Sequence, residues 1–302
     1  MASQRDVKSR ISSVKNIQKI TRAMEMVAAA RLRRAEQRIA QLRPYAEAIR
    51  RMTLQAARAA GAEASSFPLL SEHEQVRRVG LLLITGDRGL AGAFNSQIIR
   101  AGVRAGTELA EQGLEPRWYA TGRRGVSSLT FRGRDLSGSY TGFTDRPGYA
   151  DARSIADDLM SAYVDGRLDR VEILYNAYVS PLTQHVTRQT LLPLSGPVLG
   201  GEEGKQQGQE GQDAGPQPLV EYEPDPAEIL QRLVPDYVEI SIYRALLEST
   251  AGFFGAQMTA MRNASENAGT LIEQYTLAMN RARQAEITQE IMEVVAGAEG
   301  LA

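Results

Sequence analysis

The stretch ITRAMEMVAAARLRRAEQR, residues 20–38, decides how the rest of the chain is read. Ala, Met, Leu, Arg, Glu and Gln are strong helix formers, and neither Gly nor Pro interrupts them, so the segment is helical. It carries many positive charges, a run of alanines (Ala28, Ala29, Ala30) and no pair of side chains that suggests chemistry. Outward from it, apolar positions recur at Val7, Ile11, Val14, Ile17, Ile20, Met24 and Val27. After a one-step adjustment come Leu32, Ala35, Ile39, Leu42, Ala46 and Ile49. Spacings of three and four kept up this long predict a coiled-coil seam. Pro44 is expected to interrupt the hydrogen-bond ladder, as a kink or a fresh helix start. At ~1.5 Å per residue the helix is about 80 Å long, too long to be hidden in a domain of this size.

The 302 residues suffice for one large or two medium domains. The formal charge of −1 hides an asymmetry: residues 1–60 hold fourteen Lys/Arg against four Asp/Glu, out of totals of 35 and 36. The basic end favours an acidic partner, and a rod charged along its length suits an acidic channel. A basic region feeding a coiled coil is also the leucine-zipper plan for reaching DNA, but there the basic block precedes the seam. Here Lys8, Arg10, Lys15, Lys19, Arg22, Arg31, Arg33 and Arg34 are threaded through it. Arg outnumbers Lys by 31 to 4, which fits a GC-rich genome or a hot habitat alike. The first residues are Arg-rich and nearly acid-free, as in a transit peptide, yet their periodicity continues past residue 30 and is read as mature structure.

Several chemistries are excluded at once. With no cysteine there is no disulfide, thiolate catalysis, Cys-ligated zinc or iron–sulfur cluster. The two imidazoles, His73 and His185, lie in no metal-ligand spacing and read as surface or strand residues. No apolar run is long enough for a membrane-spanning helix. The paired carboxylates Asp157/Asp158 and Glu202/Glu203 lack the opposed geometry of acid–base catalysis and read as surface charges.

The middle of the chain has a different pattern. RRVGLLLIT (77–85) is an apolar run fit for a buried parallel strand, followed by a glycine-rich turn and a helix over 94–112. PRWYAT (116–121) is a second strand leading into GRRG (122–125), which reads as a solvated turn or a docking surface for an acidic partner. A helix over 149–166 follows, then paired strands over 170–180 and 183–194. This alternation predicts a Rossmann-like open α/β domain over residues 76–195. Residues 196–218 hold seven Gly, five Gln and three Pro, and are expected to form a flexible loop. Residues 226–298 return to helical periodicity. The fold class is therefore α/β, with the N-terminal helix (1–60) and C-terminal helix (226–298) forming a long antiparallel coiled coil beside the Rossmann-like domain.

ITGDRGLAG (84–92) stands where phosphate-binding loops stand, between a strand and a helix. Its glycines fall as G-x-x-G-x-x-G, which matches neither a dinucleotide fingerprint nor a P-loop. A tight turn is the plainer reading, with Asp87 and Arg88 pairing locally or facing a partner. Two other readings are carried forward: a nucleotide-binding enzyme with helical dimerisation arms, and a nucleic-acid binder using the basic helix.

ISSVKNIQKITRAMEMVAAARLRRA (11–35), TGDRGLAGAFN (85–95), EYEPDP (221–226) and NASENAGTLIEQYTLAMNRARQAEITQEIMEVVAGA (263–298) resemble the gamma subunits of F-type ATP synthases, in order and spacing across nearly the whole chain. The resemblance implies a central rotor shaft without catalytic activity, cofactor or metal. Its partners would be the alpha and beta subunits of the catalytic head, the epsilon subunit and the c-subunit ring. Nucleic acid would play no part. Contact with the membrane would be indirect, on the cytoplasmic side of a bacterial plasma membrane. It further implies that Arg22, Met24, Arg31, Arg33, Arg34, Arg283, Gln284 and Thr288 meet the alpha/beta sleeve. Small residues at Ala28–Ala30 would let a close neighbour slide past. Tyr222, Glu223, Asp87 and Arg88 would lie toward the c ring. Exposed ion pairs of ~0.2–1 kcal/mol suit contacts that must break repeatedly.

Overall fold

A computed structural model describes residues 4–61, 63, 67–194 and 225–299. The insert over 196–218 and the contact candidates Tyr222 and Glu223 lie outside the described residues. In chain order the elements are α1 (Gln4–Ala60), β1 (Arg78–Ile84), α2 (Phe94–Glu111), β2 (Glu115–Thr121), α3 (Arg123–Phe131), β3 (Leu136–Tyr140), α4 (Tyr149–Val164), β4 (Arg170–Tyr178), β5 (Gln184–Leu192) and α5 (Pro226–Glu299). They divide into two compact units, one of Met1–Ala30 with Gln257–Ala302 and one of Arg31–Ala256.

In the larger unit the strands form one sheet in the order β3-β2-β1-β4-β5. All neighbours are parallel except β4 and β5, which pair antiparallel through a tight hairpin. Period-two alternation sorts β1 between two layers. Leu83 faces α2, where Gly102 lies so close that a Cβ would stand 2.4 Å from its Cδ2, and Gly106 does the same over Trp118. Leu82 and Ile84 point the other way, into a core shared by α4 (Ile155, Leu159, Tyr163), α1 (Ile49, Ala56) and α5 (Leu230, Val238, Leu246). From Tyr237 to Gly255 almost every residue of α5 is buried or half-buried. Such a helix is covered on every side because it runs through a core rather than along a surface, and its charged residues Arg244 and Glu248 pair with each other.

In the smaller unit α1 and α5 run antiparallel: Gln18 reaches the carbonyl of Ser265, and Glu25 pairs with Arg262, nearer the start of α5. The expected register is off by one over residues 17–27. The inward positions of α1 in this unit are 7, 11, 14, 18, 21, 25 and 28, an unbroken three-four repeat, and the buried Leu32 and Ala35 of the larger unit keep the same spacing with no adjustment. Gln18, Thr21 and Glu25 occupy the repeat. Ile17, Ile20 and Val27 are 53 %, 59 % and 52 % exposed.

Three further expectations are corrected. Pro44 does not begin a fresh helix: α1 continues through it, with one N–H missing from the ladder. GRRG is not a solvated turn: Gly122 precedes α3 and Arg123 opens it, while Gly125 is buried against Thr85. The short strand β3, absent from the sequence reading, closes one sheet edge. Ala28 is fully buried, so of the three alanines it is the one that no sliding neighbour can touch.

Candidate functional site

The strand order reverses between β1 and β4, where open α/β sheets form their ligand crevice. The glycine-rich loop after β1 lies there, and its polar groups are spent on the chain itself. Gly86 N–H donates to Asn95 Oδ1 at 2.8 Å, and Asn95 Nδ2 donates to Arg88 O at 3.0 Å. Asp87 accepts from the N–H groups of Gly142, Thr144 and Arg123 and from the Thr144 hydroxyl. Burial would raise the Asp87 carboxyl, but these bonds outweigh it and hold the group below its ordinary range.

The crevice is filled from the opposite side by α5. Ser249, Thr250 and Phe253 press against Ile84, Thr85 and Phe94, leaving a void of about 10 Å³. A nucleotide site needs a cleft of about 300 Å³ or more. Gly122, at φ 81°, admits the chain so closely that a Cβ would stand 2.3 Å from Thr85 O. Thr85 Oγ1 completes the join by donating to Thr121 O and accepting from Gly125 N–H.

At the other end of the sheet, His73 Nδ1 lies 3.2 Å from Asp169, which also accepts from the N–H groups of Arg77 and Arg78. Burial would raise the Asp169 carboxyl, and those backbone bonds, with His73 and the Arg78 charge, bring it below its ordinary range. The His73 ring packs 4.6 Å from that of Tyr163, whose hydroxyl donates to Ser71 O. This cluster ties the segment before β1 to β4. His185 lies exposed on β5. Among the described residues no carboxylate–histidine group could hold a metal ion, and no helix is long and apolar enough to cross a membrane.

The named contact residues fall in separate places. Arg22 and Met24 lie on the smaller unit's part of α1, Arg22 exposed and Met24 half-buried. Arg283, Gln284 and Thr288 are exposed on α5, where the Thr288 hydroxyl donates to Gln284 O. Arg33 and Arg34 are exposed in the larger unit. Arg31 and Arg88 are brought together there on a residue the sequence did not single out: Asp145 Oδ2 is 3.4 Å from Arg31 Nη1 and 3.1 Å from Arg88 Nε. A partner 114 positions away leaves no trace in local pattern.

A family model described as ATP synthase matches residues 3–301. The chain is 46 % identical over 303 residues to the ATP synthase gamma chain of Rubrobacter xylanophilus, covering 100 % of this chain and 99 % of that one. The chain belongs to the ATP synthase gamma family. The gamma chain of Streptomyces avermitilis is 43 % identical, over 98 % of this chain and 95 % of its own length. In fold it is similar to a chain in the Euglena gracilis mitochondrial ATP synthase OSCP/F1/c-ring structure, with a TM-score of 0.65 at 14 % identity over 99 % and 94 % of the two chains. A chain of the same organism's rotor gives 0.60 at 16 % identity, over 94 % and 98 %. The readings as a nucleotide-binding enzyme or a nucleic-acid binder have no support from these relatives.

Proposed function

We propose that this chain is the central shaft of a rotary ATP synthase. It couples proton-driven turning of a c ring to conformational cycling of the catalytic beta subunits, in synthesis and in reverse hydrolysis. The observation that carries the reading is the apolar surface left on the outside of the two-helix unit. Ile17, Ile20 and Val27 form an exposed stripe on α1 and Met26 is exposed on another face, while the inward positions 18, 21 and 25 are polar. On α5 the exposed apolar side chains include Leu277, Ile287, Ile291, Met292, Val294 and Val295. With Gln18 level with Ser265, Gln4 comes level with about residue 279, since paired helices share one rise. Beyond it α5 has no helical companion among the described residues. So much exposed apolar surface on a basic rod calls for an enclosing protein.

The enclosing protein is the ring of alpha and beta subunits, with Arg22, Met24, Arg31, Arg33, Arg34, Arg283, Gln284 and Thr288 on the contacting face. The epsilon subunit and c ring dock on the α/β domain over 76–195, with Asp87, Arg88, Tyr222 and Glu223 toward the c ring. The chain itself is non-catalytic, and it is peripheral to the plasma membrane on the cytoplasmic side. The filled crevice and the self-satisfied glycine-rich loop argue against a nucleotide site at that end of the sheet.

Gentle solubilisation of host membranes carrying a tagged chain tests this. Co-purification of a three-plus-three ring with magnesium-dependent ATPase activity is expected. A monomer or homodimer without such partners would overturn it.

A further inference from the structure

We propose that Asp145 is a positioning residue, a built-in counter-ion that Arg31 and Arg88 exchange for carboxylates of an acidic protein surface. The proposal rests on the shaft reading for its setting, though not for its chemistry. Asp145 stands on a segment pinned from two sides. The neighbouring Thr144 is held by Asp87 through its N–H and hydroxyl, and its carbonyl accepts from the Thr250 hydroxyl of α5. Arg146 N–H closes a turn onto Phe143 O. The carboxylate therefore stays, and the arginines are the movable members.

One carboxylate serving two guanidinium groups leaves a net positive charge at the surface. Each arginine meets Asp145 through a single nitrogen, Arg31 at 3.4 Å and Arg88 at 3.1 Å. A guanidinium has five N–H donors in a fork suited to bidentate carboxylates, so these one-point contacts are weak ones. The Arg88 side chain is 65 % exposed, and Arg31 lies over the Phe254 ring at 5.6 Å, which keeps its head near the surface when the carboxylate changes. When a partner's carboxylate moves out of reach, Asp145 takes the arginines back. The loss on breaking each intersubunit contact is reduced, and the difference between engaged and disengaged positions is flattened.

The full-length chain and Asp145→Asn are titrated at low and high salt against two probes: the alpha–beta ring of the same host, which Arg31 faces, and a poly-glutamate peptide, which either arginine can take. With the competing charge removed, the variant binds both about two- to fivefold tighter at low salt, and the gain fades at high salt. In an Arg31→Gln/Arg88→Gln background the same substitution changes nothing. Equal or weaker binding by the variant, or a gain that survives loss of both arginines, would overturn the proposal. Asp145→Ser removes the same charge and serves if the Asn variant does not fold. Failure of the wild-type chain to join the ring would sink the shaft reading alone, because the peptide measurement still decides this one.

Discussion

Gln18 Nε2 donates to the carbonyl oxygen of Ser265 at 3.3 Å, placing an amide in the seam between two antiparallel helices where an apolar side chain is the usual occupant. Thr21 follows one turn on, 8 % exposed, and Glu25 pairs with Arg262 one turn further. Over residues 17–27 polar side chains face inward and Ile17, Ile20 and Val27 face outward, an arrangement that stabilises this part of the helix pair less than the reverse would.

A Gln18→Leu/Thr21→Val variant should therefore raise the thermal midpoint of the isolated chain, with a gain of about 1–2 kcal/mol from the apolar area removed from water. Circular dichroism melting reads it directly. A lowered midpoint would mean the seam polar groups contribute more than apolar packing could.

The same seam shows what sequence alone conveys. The helical character of residues 4–60 was legible from composition, and β1 from an apolar run buried on both faces. The register was not, because periodicity follows apolar residues wherever they point. Ile17, Ile20 and Val27 drew the seam one position away from Gln18, Thr21 and Glu25. Strand β3, with sequence LSGSY, is short, polar and at a sheet edge, so it carries no apolar signal. The Asp87 clamp joins residues 57 positions apart, and only the sheet topology brings them together.

Asp87→Ala should destabilise the larger unit by about 2–3 kcal/mol, because several N–H groups lose a charged acceptor together. Urea unfolding would measure it. A change near zero would show that water replaces the carboxylate without cost.

The Asp87 and Asp169 carboxyls both sit below their unfolded values. Their contribution is fully present above about pH 4 and is lost as pH falls through the lower folded values. Stability measured from pH 6 downward should fall below about pH 4, and the slope should be shallower in Asp87→Asn. An unchanged slope in that variant would remove Asp87 from the account.

Gly106→Ala inserts a methyl 2.4 Å from Trp118 Cη2, and Gly102→Ala one 2.4 Å from Leu83 Cδ2. Each should cost about 1–3 kcal/mol by overpacking the layer between α2 and the sheet. Trp118, the single tryptophan, reports the first change by its fluorescence.

Ile287→Asp/Ile291→Asp should leave the chain's own unfolding free energy within about 0.5 kcal/mol of wild type, since both positions are exposed. Recovery of the alpha–beta ring with the tagged chain should fall sharply. Undiminished recovery would show that this end of α5 is not enclosed.

The turn of α5 that fills the sheet crevice has a mechanical consequence. Thr250 bonds to Thr144 O, Ser249 approaches Ile84 O at 3.5 Å, and the Phe253 ring meets Phe94 edge-on at 5.5 Å. Spinning α5 about its own axis would break the hydroxyl contacts and drag an aromatic ring out of its socket. The helix is keyed to the sheet as a shaft is keyed to its wheel, so torque applied to the α/β unit reaches α5 without slip.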